Sequence, residues 1–558
     1  MKATEFEQTG GLEDWRVAGG ASTWFDAPSQ TAGAVLVGRI AELVGDNHMP
    51  DVDLRAGGVR VRICAPTAVP SGERSDGSGS LEFTRAEVAL ARAISAAAHD
   101  LGLVADPAAL QIVQVGIDAV DRPSVVSFWR TVLAYEPAGA DSLEDALRRD
   151  PPISFHRQDP RRRLRNRIHV DVVRPSEAVD AVRSAIGREV YGAYQLTLAD
   201  PEGNEVDLVP GGELAGGLET AAWRVAFGAM TFYPTASSVQ AAGLARSVAA
   251  LADDVGIPLL VDLRPDGVTI DSGKDQWEAD ETGFANLAGR IQTAAHDLAL
   301  SADVSRLRFV QFGIDAVDVP AVQAFRTTVL GYRPDPRTNV SDIYDPRRLN
   351  PVIFFQCMDP SEEDRRNRIH LDLVVPHDQA QSRIDVAVAA GGECGSTRRI
   401  NLTDIQSCAR RGCNDAYRMC GIRPANRSGG RDRQRPGRAL RPEHEVDEGL
   451  SGSAERALGV PPQTDIAVEL RMSTCRTSSP SVRTIAGQRT YPAFDQDAAQ
   501  RTLQAGDPCR HPGLGQMQPS GRAGEPAGVD HIDPGPEPRQ LDVHHGLPPP
   551  RTRWERPG

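Results

Sequence analysis

Gly116-Ile-Asp-Ala-Val-Asp121 recurs without change at Gly313-Ile-Asp-Ala-Val-Asp318. Working outward from this pair, Ala97-Ala-His99-Asp100-Leu101 returns as Ala294-Ala-His296-Asp297-Leu298, and both pairs are offset by 197. Trp15-Arg-Val-Ala returns at Trp223, Asp53-Leu-Arg at Asp262, and Asn166-Arg-Ile-His169 at Asn367-Arg-Ile-His370. Offsets between 197 and 209 describe a single unit of about 200 residues present twice, with small insertions.

Each unit divides into a front and a back half, and the element order is that of an α+β protein. The front half of unit one reads as a helix at about 29–45, with Leu36, Ile40, Leu43 and Val44 at i, i+4, i+7 and i+8. Gly58-Val-Arg-Val-Arg-Ile63 then alternates apolar and charged residues as a strand does. A second helix opens at Thr84-Arg-Ala-Glu87, a capping box in which hydroxyl and carboxylate each satisfy a free backbone N–H. It runs along Leu90, Ile94, Ala97 and Leu101 to Gly102. Unit two repeats both helices, with Leu244, Val248, Leu251 and Val255, then Phe284, Leu287, Ile291 and Leu298.

The back half opens on an apolar strand, Leu110-Gln-Ile-Val-Gln-Val-Gly-Ile117. A helix is predicted over 124–133, with strands over 153–156 and 168–173. The closing run, Leu196-Thr-Leu-Ala-Asp-Pro-Glu-Gly-Asn-Glu-Val-Asp-Leu208, places turn chemistry at Pro201-Glu-Gly-Asn204 between two strands. The resulting order is β-α-β-β-β. Unit two lacks this ending: after Ala390-Gly-Gly-Glu393 the chain turns to Arg, Pro, Gly and Ser. A change of reading frame in a GC-rich gene would produce such a switch inside a repeat. The alternative is a genuine disordered tail, RNA-binding through Ser428-Gly-Gly-Arg-Asp-Arg-Gln-Arg435.

The chain has 558 residues and a net charge of −14, but the charge is split. Residues 394–558 hold 24 Arg, no Lys and 19 acidic residues, which leaves 1–393 at −19. An acidic body argues against nucleic acid as a partner, because that affinity comes from cations neutralising phosphates. No stretch approaches the roughly 20 apolar residues of a membrane span. The start, Met-Lys-Ala-Thr-Glu-Phe-Glu, lacks the apolar core of a secretory signal, so a cytoplasmic location is expected. Only Cys64 and Cys357 precede residue 394, and no Cys-x-x-Cys pair occurs, so neither a disulfide framework nor a zinc ribbon is expected.

The front half of unit one, with Trp15, the helix ending Ala41-Glu-Leu and then Asn47-His48-Met49-Pro50 before a strand and a capped helix, resembles pterin-4a-carbinolamine dehydratase. The resemblance implies an antiparallel sheet with helices on one face, and an activity, dehydration of 4a-hydroxytetrahydropterin, a lyase step in tetrahydrobiopterin recycling. It implies a catalytic role for His48, since imidazole can both deliver and remove a proton near neutral pH. Where the family carries a second histidine, Met49 stands here. Unit two has Gly256-Ile-Pro258-Leu at this place, and a degenerate copy is expected there.

The back halves, with Phe128-Trp129-Arg-Thr-Val-Leu133, Asn166-Arg-Ile-His169-Val-Asp171 and Asp200-Pro-Glu-Gly-Asn-Glu-Val-Asp207, resemble the glyoxalase-like branch of the vicinal oxygen chelate (VOC) superfamily. That resemblance implies paired β-α-β-β-β modules curled into a half-open barrel with a divalent metal on the inner strand faces. Placed on the pattern, the metal positions of unit one are Gln114, His156, His169 and Asp207. Unit two keeps Gln311, Gln356 and His370. The alternative is a short glyoxalase-like domain without metal, in which His169 bonds Asp171 or Arg167. The run Arg161-Arg-Arg-Leu-Arg165-Asn-Arg167 reads as a solvated turn.

These readings combine into two tandem units. The segments are 1–104, dehydratase-like; 109–211, glyoxalase-like; 220–300, degenerate dehydratase-like; 305–393, truncated glyoxalase-like; and 394–558, a disordered or frame-shifted tail. The expected partner is a small pterin-like or oxygen-rich molecule, with no nucleic acid and no membrane. Dehydratase relatives form homo-oligomers, and the repeat lets one chain mimic a dimer. Three functions compete: a dehydratase using His48, a metal-dependent VOC-type enzyme, and a non-catalytic ligand-sequestering VOC protein of the resistance type.

Overall fold

The computed structural model describes residues 1–45, 47–64, 82–158, 166–274, 277, 280–338, 340–362 and 367–394, and the backbone of two further strands. The front of unit one comprises α1 (Ala3–Glu7), β1 (Arg16–Val17), β2 (Ala21–Asp26), α2 (Gln30–Val44), β3 (Asp51–Arg55), β4 (Gly58–Ile63), α3 (Arg85–Asp100) and β5 (Val104–Ala105). Its back half holds β6 (Ile112–Ala119), α4 (Arg122–Leu133), β7 (Glu136–Gly139), β8 (Ser142–Glu144) and β9 (Ile153–Arg157), then β10 (Ile168–Pro175), α5 (Ser176–Ile186), β11 (Thr197–Ala199) and β12 (Glu205–Glu213). Unit two repeats the front as β13 (Arg224–Ala226), β14 (Gly228–Pro234), α6 (Ser238–Val255), β15 (Leu260–Arg264), β16 (Gly267–Asp271) and α7 (Glu281–Asp297). Its back half runs through β17 (Phe309–Ala316), α8 (Val319–Leu330), β18 (Arg333–Pro334), β19 (Ile343–Tyr344), β20 (Ile353–Cys357), β21 (Ile369–Val375), α9 (Ala380–Ala389) and β22 (Gly392–Cys394). The two further strands are β23 (Arg418–Pro424) and β24 (Val468–Met472); the rest of the expected tail lies outside the described residues.

The local signals act as their chemistry requires. Ser29 caps α2 by accepting the Ala32 N–H, and Thr84 and Glu87 form both bonds of the capping box on α3. Among the elements missed by periodicity are α5 and its counterpart α9; α5 follows β10 directly with no side-chain cap at Pro175. Repeated Trp15 and Trp223 are both fully buried, their indoles donating to Ser95 Oγ (3.0 Å) and the Ala288 carbonyl (3.2 Å).

The two front halves form one continuous antiparallel sheet, ordered β1-β2-β4-β3-β15-β16-β14-β13. Val52, Leu54, Val59 and Val61 with Val261, Leu263, Val268 and Ile270 face α2, α3, α6 and α7 in a single apolar core. The alternate residues of the same strands, Asp51, Asp53, Arg60, Asp262, Arg264 and Asp271, are also buried. The pairing of β3 with β15 sets Asp53 opposite Asp262, an unfavourable cross-strand pair that arginines hold in place. Asp53 receives Arg60 at 2.5 Å and Arg264 at 2.7 Å, and Asp262 receives Arg55 and Arg149, each at 2.7 Å.

Arg148 and Arg149 reach this face from the loop before β9, where Arg148 adopts a left-handed backbone (φ 47°) and Asp145 accepts the Leu147, Arg149 and Asp150 amides. Arg348 and Asp345 repeat the device in unit two, with the Arg347 and Leu349 amides on Asp345. Burial alone would raise the Asp51 carboxyl. The Arg148 hydrogen bonds (2.7 and 2.5 Å) and the Arg62 and Arg264 charges outweigh it and hold it well below the usual carboxylate range.

The back halves do not close on themselves. β6 pairs in parallel with β9 of its own unit but antiparallel with β21 of the other, and β10 pairs antiparallel with β17. The two exchanged pairings share one register: His370 faces Gly116 and Asp372 faces Gln114, while His169 faces Gly313 and Asp171 faces Gln311. Asn166 and Asn367 tie the crossing, since the Arg368 N–H donates to Asn166 Oδ1 (2.7 Å) and the Arg167 N–H to Asn367 Oδ1 (2.6 Å). The segments expected as separate glyoxalase-like domains, 109–211 and 305–393, thus exchange halves to make two half-barrels. Beside β10 the closing strand is β12, in parallel; beside β21 its place is taken by β24, antiparallel.

Because its folded-state value is depressed, Asp51 stabilises the fold above about pH 4, and that contribution is lost as pH falls. Asp51→Asn should therefore cost about 3–5 kcal/mol at pH 7 by chemical denaturation, because it leaves buried guanidinium charge unpaired, and the cost should shrink below about pH 4. A 1–212 fragment keeps β9 and β12 but lacks β21 and β17, the exchanged partners of β6 and β10. Two copies can regenerate the pairings, so it should sediment as a dimer; a stable, folded monomer would count against the exchanged strands.

Candidate functional site

The exchange divides the four residues expected as one metal set. Gln114 and His156 stand in the first half-barrel, built on β6, β9 and β21, whereas His169 and Asp207 stand in the second, built on β10, β12, β17 and β20. The reason is the strand partner: Gln114 meets Asp372 from the other unit, and His169 meets Gly313. Gln311 and Gln356 of unit two join His169, while His370 joins His156.

In the first half-barrel His156, His370 and Asp372 bring one ligand-type atom each to within 4.8 Å of one another. The two imidazoles stack with centroids 5.5 Å apart, and the Ser154 hydroxyl lies 2.9 Å from His156 Nε2. His370 and Asp372 are buried, and His156 is half-buried. Two imidazoles and a carboxylate form a donor set suited to a divalent ion with positions left for substrate oxygens.

The second half-barrel gathers His169, Asp171 and Asp207 within the same span. His169 Nε2 lies 3.6 Å from Asp171, and Asp207 accepts the Thr197 hydroxyl at 2.6 Å. Gln311 donates its amide to Asp171 at 2.8 Å. Burial, with the Asp207 charge beside it, pushes the Asp171 carboxyl up to about 7 against the pull of His169, Gln311 and Lys274. Lys274, from the segment after β16, is buried with its ammonium 2.8 Å from Gln311 Oε1 and 2.5 Å from Asp342.

Sequence reading passed over Asp372, Lys274 and Asp342, and took Asp171 only as a neighbour of His169. For the aspartates the signal was present: His-x-Asp on a strand sets both side chains on one face. For Lys274 it was composition, since the chain has two lysines, Lys2 and Lys274, among 62 basic residues.

His48 stands exposed after α2, while Met49 beside it is buried in the core of the front sheet. The run 161–165 lies outside the described residues; Arg167 at its end is buried. No helix of the described residues is long and apolar enough to cross a membrane.

Residues 114–209 and 311–402 each match the model of a glyoxalase-like domain. The chain carries two glyoxalase-like units. The matched segments span the strands that build both half-barrels and include all six clustered side chains. The comparison gives no support to the pterin-dehydratase resemblance of the front halves. Searches with the chain matched no curated protein and no solved structure.

His370 and His169 each pack on a glycine of the facing strand. A Cβ at Gly116 would lie 2.0 Å from His370 Nε2, and one at Gly313 2.1 Å from His169 Cε1. Gly116→Ala should therefore displace the His370 ring and cost about 1–3 kcal/mol in denaturant unfolding; an unchanged unfolding free energy would refute this placement.

Proposed function

We propose that the protein is a metal-dependent glyoxalase-type protein that takes a small oxygen-rich metabolite in the first half-barrel, with His156, His370 and Asp372 holding a divalent ion. The observation that carries this reading is the convergence of two imidazoles and a buried carboxylate, from both glyoxalase-like units, on a side that His156 leaves partly open. Gln114, opposite Asp372 in the register, supplies a further amide donor beside the cluster. A divalent ion there would polarise a substrate oxygen as a Lewis acid. The residues do the remainder: Ser154 steadies the His156 ring, and the β6–β21 pairing fixes His370 over Gly116. Asp118, beside His156 across the β6–β9 pairing, places a carboxylate next to the cluster.

This is the VOC-type reading of the chain, and it is favoured over dehydration at His48. It leaves two behaviours to distinguish, turnover and sequestration, which share the same site. The dehydratase alternative would need proton-transfer groups gathered around His48, where the neighbouring Met49 offers none.

The test is Mn²⁺ binding to the full chain by equilibrium dialysis, followed by titration with oxalate as a bidentate oxygen probe. His370→Ala should weaken the tightest Mn²⁺ site by about 100-fold or more and abolish oxalate binding. Equal affinity in chain and variant would remove the metal from this site. A dehydratase assay that gives turnover lost in His48→Ala would establish the rival activity instead.

A further inference from the structure

We propose that the second half-barrel carries its own cation: the Lys274 ammonium takes the place of a metal there, confining divalent-ion binding to the first half-barrel, one ion per chain. This rests on the metal reading above for the first half-barrel, but the effect of Lys274 is measured separately from it.

The two half-barrels are related by the repeat, and their donor sets are alike. His169 corresponds to His370, Asp171 to Asp372 and Gln311 to Gln114, each pair in the same register. The second set has Gln356 at the strand position of His156 and adds Asp207, so with two carboxylates it would still suit a divalent ion. They differ further by a pair of residues from outside the shared strands. Lys274 is 3% exposed, and its ammonium lies 2.8 Å from Gln311 Oε1, 2.5 Å from Asp342, and over the rings of Phe227 (5.0 Å) and Phe354 (5.6 Å). A glutamine can serve a metal only through its amide oxygen, and this one already accepts from Lys274 while its nitrogen donates to Asp171. The ammonium is thus joined through one side chain to the carboxylate that a metal would need. It also repels any second cation in a buried site.

The corresponding positions in unit one lack both partners. The registers set Gly267 of β16 at the place of Gly58 of β4, because each pairs with the end of the preceding long strand, Pro234 and Asp26. Counting onward, Lys274 falls on Ala65. Ile343 pairs with Ile353 as Leu143 pairs with Ile153, so Asp342 falls on Ser142. Ammonium and counter-ion are present together in one unit and missing together from the equivalent positions in the other. A cation and its partner carboxylate that differ as a pair, beside the repeated His-x-Asp and glutamine positions, mark a replacement of one positive charge by another.

The experiment is Mn²⁺ stoichiometry by equilibrium dialysis on the full chain and on two variants. Lys274→Ala opens the site, and Lys274→Ala with Asp342→Ser copies the unit-one pair and removes the carboxylate that the ammonium pairs with directly. Each variant should bind one Mn²⁺ more than the native chain, and His169→Ala in the native chain should leave the stoichiometry unchanged. An increment of zero in the double variant, with a cooperative thermal melt, would overturn the proposal. So would a native chain that binds two ions, or one whose stoichiometry falls with His169→Ala. A native chain that binds none, with a variant that binds one, would support the role of Lys274 while refuting the metal reading of the first half-barrel.

Discussion

The exchanged strand pairing, β6 on β21 and β10 on β17, is the constraint on which the rest of the molecule depends. Each pairing joins a strand from one repeat to a strand from the other, so neither repeat can complete a half-barrel alone. Antiparallel pairing in a fixed register brings His370 over Gly116 and His169 over Gly313, where only a glycine leaves room for the ring. The reciprocal Asn166 and Asn367 hydrogen bonds hold the crossing point, and the donor clusters follow from it. A one-residue slip would turn these side chains to the opposite face and dissolve both clusters at once.

The same logic of duplication governs the front sheet. Pairing β3 with β15 buries two facing aspartates, which is tolerable only because Arg55, Arg60, Arg149 and Arg264 converge on them. The arginines come from the sheet itself and from the loop before β9, so the charged face doubles as the contact between front and back halves. Burial of ions is costly, and a network of this kind adds little net stability over apolar packing. What it does is reject alternatives, since any other docking leaves guanidinium or carboxylate groups buried and unmatched.

Duplication then allowed divergence. Two related donor sets sit in one chain, and the second differs by Gln356 in place of His156, by Asp207, and by a buried ammonium and its aspartate, Lys274 and Asp342. A chain with two related sites can keep one open to a ligand while the other becomes a fixed part of the core. The burial pattern agrees: all three clustered residues of the second half-barrel are buried, whereas His156 of the first is half-buried.

The sequence by itself determined the repeat, the α2 and α3 helices with the capping box of α3, the main strands β4, β6, β9, β10 and β12, and the glyoxalase-like character of the back halves. These are local or periodic properties, carried by a Thr at a cap, by alternation along a strand and by verbatim motifs. It also supplied the residue types of the candidate site, with His156, His169 and Asp207 all falling in clusters. It did not show which of them belong together. Gln114 and His156 were separated from His169 and Asp207 because strand partners are chosen by long-range pairing, and two copies of one unit present equivalent edges to each other. Nor could local pattern foresee that the charged side of β3, β4, β15 and β16 is buried, because alternation marks two faces without saying what covers the second. Lys274 shows the limit most plainly: the residue lies outside the repeated motifs, and only the tertiary fold brings its ammonium to Gln311, 37 residues along the chain, and to Asp342.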